Sequence, residues 1–258
     1  MLIPIADDDH NLKHPGYVTI GLVVVNVIVF FFLQQVGANT SFTYGWSVIP
    51  LEITTGQDLV TPQTIIAHGQ AITIPEAPGP RPIYLTILTA MFMHAGFAHI
   101  FGNMLYLWIF GDNVELRFGS GTFLAFYLAS GIVATLVQVG MDPLSVVPNL
   151  GASGAISGVL GAYLVLFPRN RVYALFLFFF IISIPAVVAI GLWIVVQFVN
   201  WGSVMMSAQT VDGVAYGAHI GGFTTGVVMA LILRKLIREE PEHPFTRIAV
   251  SDGSRRYW

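Results

Sequence analysis

Six runs of mainly apolar residues punctuate the chain, at 17–36, 95–113, 121–140, 151–168, 172–199 and 214–236. Most approach the ~20 residues that a helix needs to cross a bilayer. The fourth is short, and the fifth is long and interrupted by Pro185. None shows the apolar–polar alternation of a membrane barrel strand. The pattern predicts an all-α fold, a polytopic membrane bundle of six transmembrane helices. Residues 37–94 form one long connection with prolines at Pro75, Pro78, Pro80 and Pro82, so its middle is expected to be irregular. A short interfacial helix is expected over 83–93. A connection of this length usually carries a function or is disordered.

Basic residues then orient the spans. With the N-terminus inside, Lys13, Arg117, Arg169, Arg171, Arg234, Lys235, Arg238, Arg247, Arg255 and Arg256 all fall on the cytoplasmic side, and only Arg81 falls outside. Both termini are therefore expected in the cytoplasm, with spans two, four and six running from outside to inside. The expected organisation is a cytoplasmic segment over 1–16, a membrane domain over 17–236 with its long outer loop at 37–94, and a cytoplasmic tail over 237–258.

Composition agrees with this class. The 258 residues are 55% hydrophobic and 10% charged, where an ordinary soluble domain carries roughly 25% charge. Mean hydropathy is +0.74. A net charge of -3 gives no sign of nucleic-acid binding, and the absence of cysteine removes disulfides, thiolate nucleophiles and cysteine metal sites. The opening MLIPIADDDHNLKH is too acidic for a secretory or mitochondrial leader, so a prokaryotic plasma membrane is the expected location. Nothing in the sequence fixes an oligomeric state.

Polar groups inside apolar spans are the candidates for chemistry. No carboxylate lies deep within a span, which excludes an aspartyl pair and a carboxylate proton relay, and no HExxH marks a zinc peptidase. Ser153, His219, His99 and Asn103 remain, with His94 beside them. At ~1.5 Å per residue, Ser153 lies roughly 5 Å, His219 roughly 8 Å and Asn103 roughly 12 Å below the outer boundary. All come from the three outside-to-inside spans. Two stripes of small residues, Gly154-xxx-Gly158-xxx-Ala162 and Ala218-xxx-Gly222-xxx-Gly226, suit close helix packing beside Ser153 and His219.

A serine hydroxyl becomes a nucleophile when a base takes its proton, and neutral histidine is the usual base near pH 7. Asn103, His99 and the N–H groups of a helix start can receive an oxyanion. No acid stands near His219 in the sequence, so the unit reads as a dyad. Each feature also has an ordinary reading. The GxSG around Ser153 suits helix packing, and Ser157 reads as packing alone. His219 suits a structural hydrogen bond, and Asn103 a helix–helix bond. His94 and His99 lie five apart, roughly 140° around a helix, which argues against a shared metal.

The motifs HAGFAHIFGN (His94, His99, Asn103), VELRFGSG (Glu115, Arg117), GASG (Gly151, Ser153, Gly154) and YGAHIGG (His219, Gly222) resemble, in order and placement, the rhomboid family of intramembrane serine proteases. The resemblance runs over about 84–236. It implies Ser153 as nucleophile, His219 as general base, and His99, Asn103 and the Ser153 N–H as the oxyanion hole. It implies His94 holding the outer loop and Glu115–Arg117 as a structural motif at the cytoplasmic turn. The implied partners are the lipid bilayer and transmembrane protein substrates, cut near their outer ends, with no cofactor or metal.

Two departures stand out. The tryptophan–arginine pair that some members carry in the outer loop is not evident. Ser157 stands where some members place a tyrosine against the histidine, so another group, an aromatic among them, is expected to orient His219. Pro185 marks span five as a movable wall, whose outer end holds the bulky Trp193, Phe198 and Trp201, with Phe198 and Trp201 as candidates for its gate; an interfacial aromatic belt is the other reading of these groups. Two other functions compete. A non-catalytic rhomboid-like helix-binding protein would typically lack the serine or the histidine. A transporter would show repeats, broken helices or buried charges.

Overall fold

The first long helix is held at its start by a carboxylate from another element. In the computed structural model, which describes residues 2–8, 15–67, 70–177, 179–207 and 214–237, helix α1 spans Tyr17–Ile28 and runs on through a π turn at Val29–Leu33. Helix α5, Phe97–Phe118, carries Glu115 against its N-terminus. Glu115 accepts from the Val18 N–H at 3.0 Å, the Thr19 N–H at 2.8 Å, the Thr19 hydroxyl at 2.9 Å and the Ser120 hydroxyl at 2.6 Å. A helix start leaves its first N–H groups without acceptors, and a negative charge there is favoured. Gly119, at φ 78°, turns the chain into α6, Ser120–Met141, a conformation that glycine adopts without strain.

Helix α7, Ser153–Leu166, is the core of the bundle. Every residue from Gly154 to Tyr163 is buried, as expected of a helix that is apolar all round. It packs on α5, α6 and α9, Tyr216–Leu236, while α8, Ala186–Ser207, closes the remaining side. Among the described residues, three helices, Ser120–Met141, Ala186–Ser203 and Tyr216–Leu236, are long and apolar enough to cross a membrane. Ile83–Phe92 and Phe97–Phe118, bent by 77°, pass that test together, and Tyr17–Leu33 and Ser153–Leu166 are apolar but shorter.

The all-α expectation needs correction. Strand β1, Leu2–Asp7, pairs antiparallel with β4, Arg171–Phe176, which pairs antiparallel with β5, Phe180–Pro185. The first half of the expected fifth span is therefore a hairpin, and the helix starts only at Ala186. A uniformly apolar run carries no period that separates strand from helix. Here β-branched and aromatic residues favour the strand. Pro185, lacking an N–H, sits at the end of an edge strand, where no ladder bond is lost. Asp7 anchors the sheet to the bundle by accepting from the Tyr163 hydroxyl and, at 3.0 Å, from the Asn113 amide.

The outer connection is more ordered than its prolines suggest. It holds α2, Thr40–Gly45, α3, Pro50–Thr55, the hairpin β2–β3 (Gln63–Ala67 and Gln70–Ile74), and α4, Thr86–Thr89, flanked by 3-10 turns within Ile83–Phe92. The expected helix over 83–93 is present, whereas α2, α3 and the hairpin were not foreseen. The Val48–Asn149 bridge and the Leu51 N–H bond to Ser145 at 3.0 Å tie this loop to the segment before α7. Lys13 and the tail from Arg238 onward lie outside the described residues.

Two acids are sunk into this loop. Glu52 is 2% exposed and accepts from the Leu59 N–H at 2.7 Å, while both carboxylate oxygens of Glu76, 8% exposed, lack a partner among the described residues. Burial pushes Glu52 up to about 7; the Leu59 bond opposes this and Asp58 adds to it. Burial and then the Glu52 charge push Glu76 to about 7 as well. Folding thus takes up protons between the ordinary carboxyl value of 4.5 and about 7. The stability these groups contribute is full below that window and is lost as pH rises through it. The melting temperature in detergent is expected to fall from pH 5 to pH 8. The Glu52→Gln/Glu76→Gln double variant should flatten that dependence. A melting temperature that rises over the range contradicts the assignment.

Candidate active site

The two stripes of small residues face each other. A Cβ added to Gly222 would strike the Gly154 carbonyl oxygen, and one added to Gly226 would strike the backbone of Gly158. Gly161 stands in the same way against the Phe223 carbonyl. Helices α7 and α9 therefore meet backbone to backbone, which small residues alone permit. The Gln138 side chain on α6 fixes the start of α9 by accepting from the Ala218 N–H at 3.2 Å.

This contact brings Ser153 and His219 together across the helix pair. His219 Nε2 lies 2.9 Å from the Ser153 hydroxyl oxygen. The other ring nitrogen, Nδ1, lies 2.8 Å from Oε1 of Gln197 on α8. Trp193, one turn earlier on α8, packs on the imidazole with ring centroids 5.9 Å apart, and Tyr216 meets it edge-on at 6.4 Å. The sequence reading did not find Gln197, and it took Trp193 for a bulky group at an opening rather than for a neighbour of the imidazole. The rule that selected Asn103, an amide inside an apolar span, selects Gln197 in LWIVVQFVN equally well. Ser157 turns its hydroxyl back to its own helix, donating to the Ser153 carbonyl at 2.6 Å.

A cavity of about 640 Å³ opens beside this pair, lined among others by His99, Asn103, Ser153, Trp193 and His219. Three of its lining residues carry candidate donors. The Ser153 N–H belongs to the first turn of α7, where the helix supplies no acceptor. The Asn103 side-chain nitrogen is buried without a partner among the described residues. His99 Nδ1 accepts from the Ala95 N–H at 3.3 Å, which leaves Nε2 of the neutral ring as a donor. A Cβ on Gly151 would come within 2.9 Å of that Nε2, and Gly151 has φ 140°, so a glycine is required on both counts.

The remaining sequence-selected residues do not line this cavity. His94 is fully buried with its ring edge on His99 at 5.1 Å; Gln34 grips its backbone through bonds of 2.8 and 3.0 Å. Glu115 caps α1, and Arg117 sits half-buried in the last turn of α5. Phe198 is 49% exposed, and neither it nor Trp201 lines the cavity; Trp193 does.

The chain matches the family model for the Rhomboid domain over residues 82–236. The chain belongs to the rhomboid family. Among its rhomboid relatives, Rhomboid protein 1, mitochondrial, of Saccharomyces cerevisiae is 30% identical over 161 residues, which is 60% of this chain and 44% of the yeast protein. Rhomboid protease GluP of Bacillus subtilis is 32% identical over 149 residues, 58% of this chain and 24% of that protein. RHOMBOID-like protein 6, mitochondrial, of Arabidopsis thaliana is 35% identical over 153 residues, 57% and 43%. The matched stretch is less than half of each relative's length. These rhomboids are bacterial and mitochondrial, a wider range than the prokaryotic plasma membrane expected from the sequence.

The rhomboid glycine contact makes a direct prediction. Gly222→Ala places a methyl against the Gly154 carbonyl, and overpacking of this kind costs about 1–3 kcal/mol. Gly21→Ala on α1, where a Cβ meets nothing within 4 Å, is the control. Thermal unfolding in detergent should show a lowered melting temperature for Gly222→Ala only. Equal stability of the two variants would mean that α7 and α9 have room to spare.

Proposed function

We propose that this rhomboid-family protein is an intramembrane serine protease that cuts transmembrane helices of other proteins near the extracytoplasmic face. The 2.9 Å contact between His219 Nε2 and the Ser153 hydroxyl carries the reading. In the proposed reaction His219 takes the Ser153 proton as the oxygen attacks the scissile carbonyl carbon. The carbonyl oxygen becomes an oxyanion, received by the Ser153 N–H, the Asn103 amide and His99. Collapse breaks the carbon–nitrogen bond, and His219 returns its proton to the departing amine. A water then gives its proton to His219 and its oxygen to the acyl carbon, releasing the new carboxylate and restoring Ser153.

The finer topology is part of the same proposal. Counting the bent pair as one crossing, with α1, α6, α7, α8 and α9, gives six, with both termini in the cytoplasm and the membrane domain over 17–236. Ser153 then stands at the floor of a cavity open to the outside, where water is available to the second step. A substrate helix must unwind to present a peptide bond, because a helical amide is shielded by its own hydrogen bonds. Glycine or proline near the outer boundary lowers that cost by roughly 1–3 kcal/mol per residue.

The test is reconstitution in liposomes with a transmembrane reporter carrying small residues near its outer end, read by product mass. Wild type and Ser157→Ala should cut one bond, and Ser153→Ala and His219→Ala none. Wild-type protein that neither cuts nor reacts with a fluorophosphonate at Ser153 would point to a non-catalytic helix-binding protein. The proposed gate at Phe198 and Trp201 is read in the same vesicles. Truncating either to alanine should speed cleavage, and unchanged rates remove them from that role.

A further inference from the structure

Helix α8 is mostly lipid-facing where it passes the site. Val195, Val196, Phe198 and Val199 are 49–61% exposed, yet Gln197 among them is 8% exposed. The inward positions Ala186, Ile190, Trp193 and Gln197 recur at helical spacing, so α8 turns one face to the bundle. An amide on a membrane helix is costly to bury without a partner. The partner here is specific: Oε1 of Gln197 stands 2.8 Å from Nδ1 of His219, on the far side of the ring from Ser153.

Resting on the protease reading above, we infer that Gln197 is the positioning residue of the base, filling the place that a carboxylate takes in a triad. An amide oxygen only accepts, so the bond requires the proton on Nδ1. That tautomer leaves a lone pair on Nε2, the nitrogen that faces the Ser153 hydroxyl. The opposite tautomer would donate from Nε2 to Ser153 and could not take its proton. Being neutral, the amide selects the tautomer without placing a charge in the membrane. The same helix supplies Trp193, which limits the ring's tilt. Two groups of α8 thus hold the imidazole, and one of them, Trp193, lines the cavity. An outward displacement of α8 that admits a substrate helix withdraws both, so the base is set only when α8 has returned.

Gln197→Leu removes the acceptor at similar size, and Gln197→Glu keeps an acceptor in place. In liposomes, with substrate expressed as mole fraction of lipid, Gln197→Leu should lower kcat on the order of 10-fold or more with KM unchanged. Gln197→Glu should recover most of that loss. A small fluorophosphonate needs no displacement of α8, so its reaction with Ser153 should slow in Gln197→Leu by a similar factor. Melting temperatures measured alongside separate misfolding from misalignment. The inference is overturned if Gln197→Leu, folded as wild type, keeps its kcat, or if it slows helix cleavage but leaves fluorophosphonate labelling untouched. Wild-type protein inert to both reagents would instead sink the protease reading itself, and this inference with it.

Discussion

Everything at this site depends on how closely α7 approaches α9. Between two membrane helices there is no hydrophobic drive to association, since lipid is as apolar as leucine; contact is stabilised by packing. Gly154, Gly158, Gly222 and Gly226 let the two backbones touch. Only at that separation can a side chain as short as serine reach a histidine on the neighbouring helix. A wider pair would leave Ser153 facing space and His219 without its partner. The glycines that surround the serine in sequence are thus the means by which it meets a histidine on the neighbouring helix.

The same contact goes with an α7 that is short and buried from Gly154 to Tyr163. A helix that begins inside the bundle exposes its first N–H groups there, and the outer segment 142–152 must cover it. The bonds from Val48 to Asn149 and from Leu51 to Ser145 hold that cover down. Gly151 then allows His99 to lie against the start of α7. Donor-bearing residues of α5 and α7 line one cavity, and polar clamps hold the helices around it. Glu115 fixes α1 to α5, Gln138 fixes α6 to α9, and Asp7 ties the sheet to α5 and α7.

The sequence carried the helices that meet at the site more clearly than those around it. Spans at 95–113, 121–140, 151–168 and 214–236 correspond to α5, α6, α7 and α9 with ends displaced by a few residues, because length and apolarity define a crossing. The facing of Ser153 and His219 was legible because small residues four apart mark a helix's contact side. Gln197 was visible as an amide inside an apolar span, but its direction was not, since α8 carries no such stripe and its rotation about its axis is set by tertiary packing. The hairpin Arg171–Pro185 was misread for a related reason: apolarity on every side erases the period that tells strand from helix. The order of the outer loop comes from bonds to residues about ninety positions away, such as Thr54 to Pro143, which no local pattern reports.

Helix α8 occupies a different position in this economy of contacts. Its outward face is exposed, and beyond its apolar side chains it meets the site through one amide and one indole. Helices α7 and α9, locked backbone to backbone, cannot part without undoing the core. In the proposed reaction the wall that yields to a substrate helix is α8, which meets α7 and α9 less extensively than those two meet each other. A hydrogen bond to a neutral group contributes only about 0.5–1.5 kcal/mol net, small enough to be broken and remade in each turnover. A carboxylate at the same place would grip the histidine more strongly, but it would carry a bare charge toward lipid whenever the wall opened. In the proposed enzyme, the uncharged Gln197 amide on α8 reconciles a base that must be oriented with a wall that must yield.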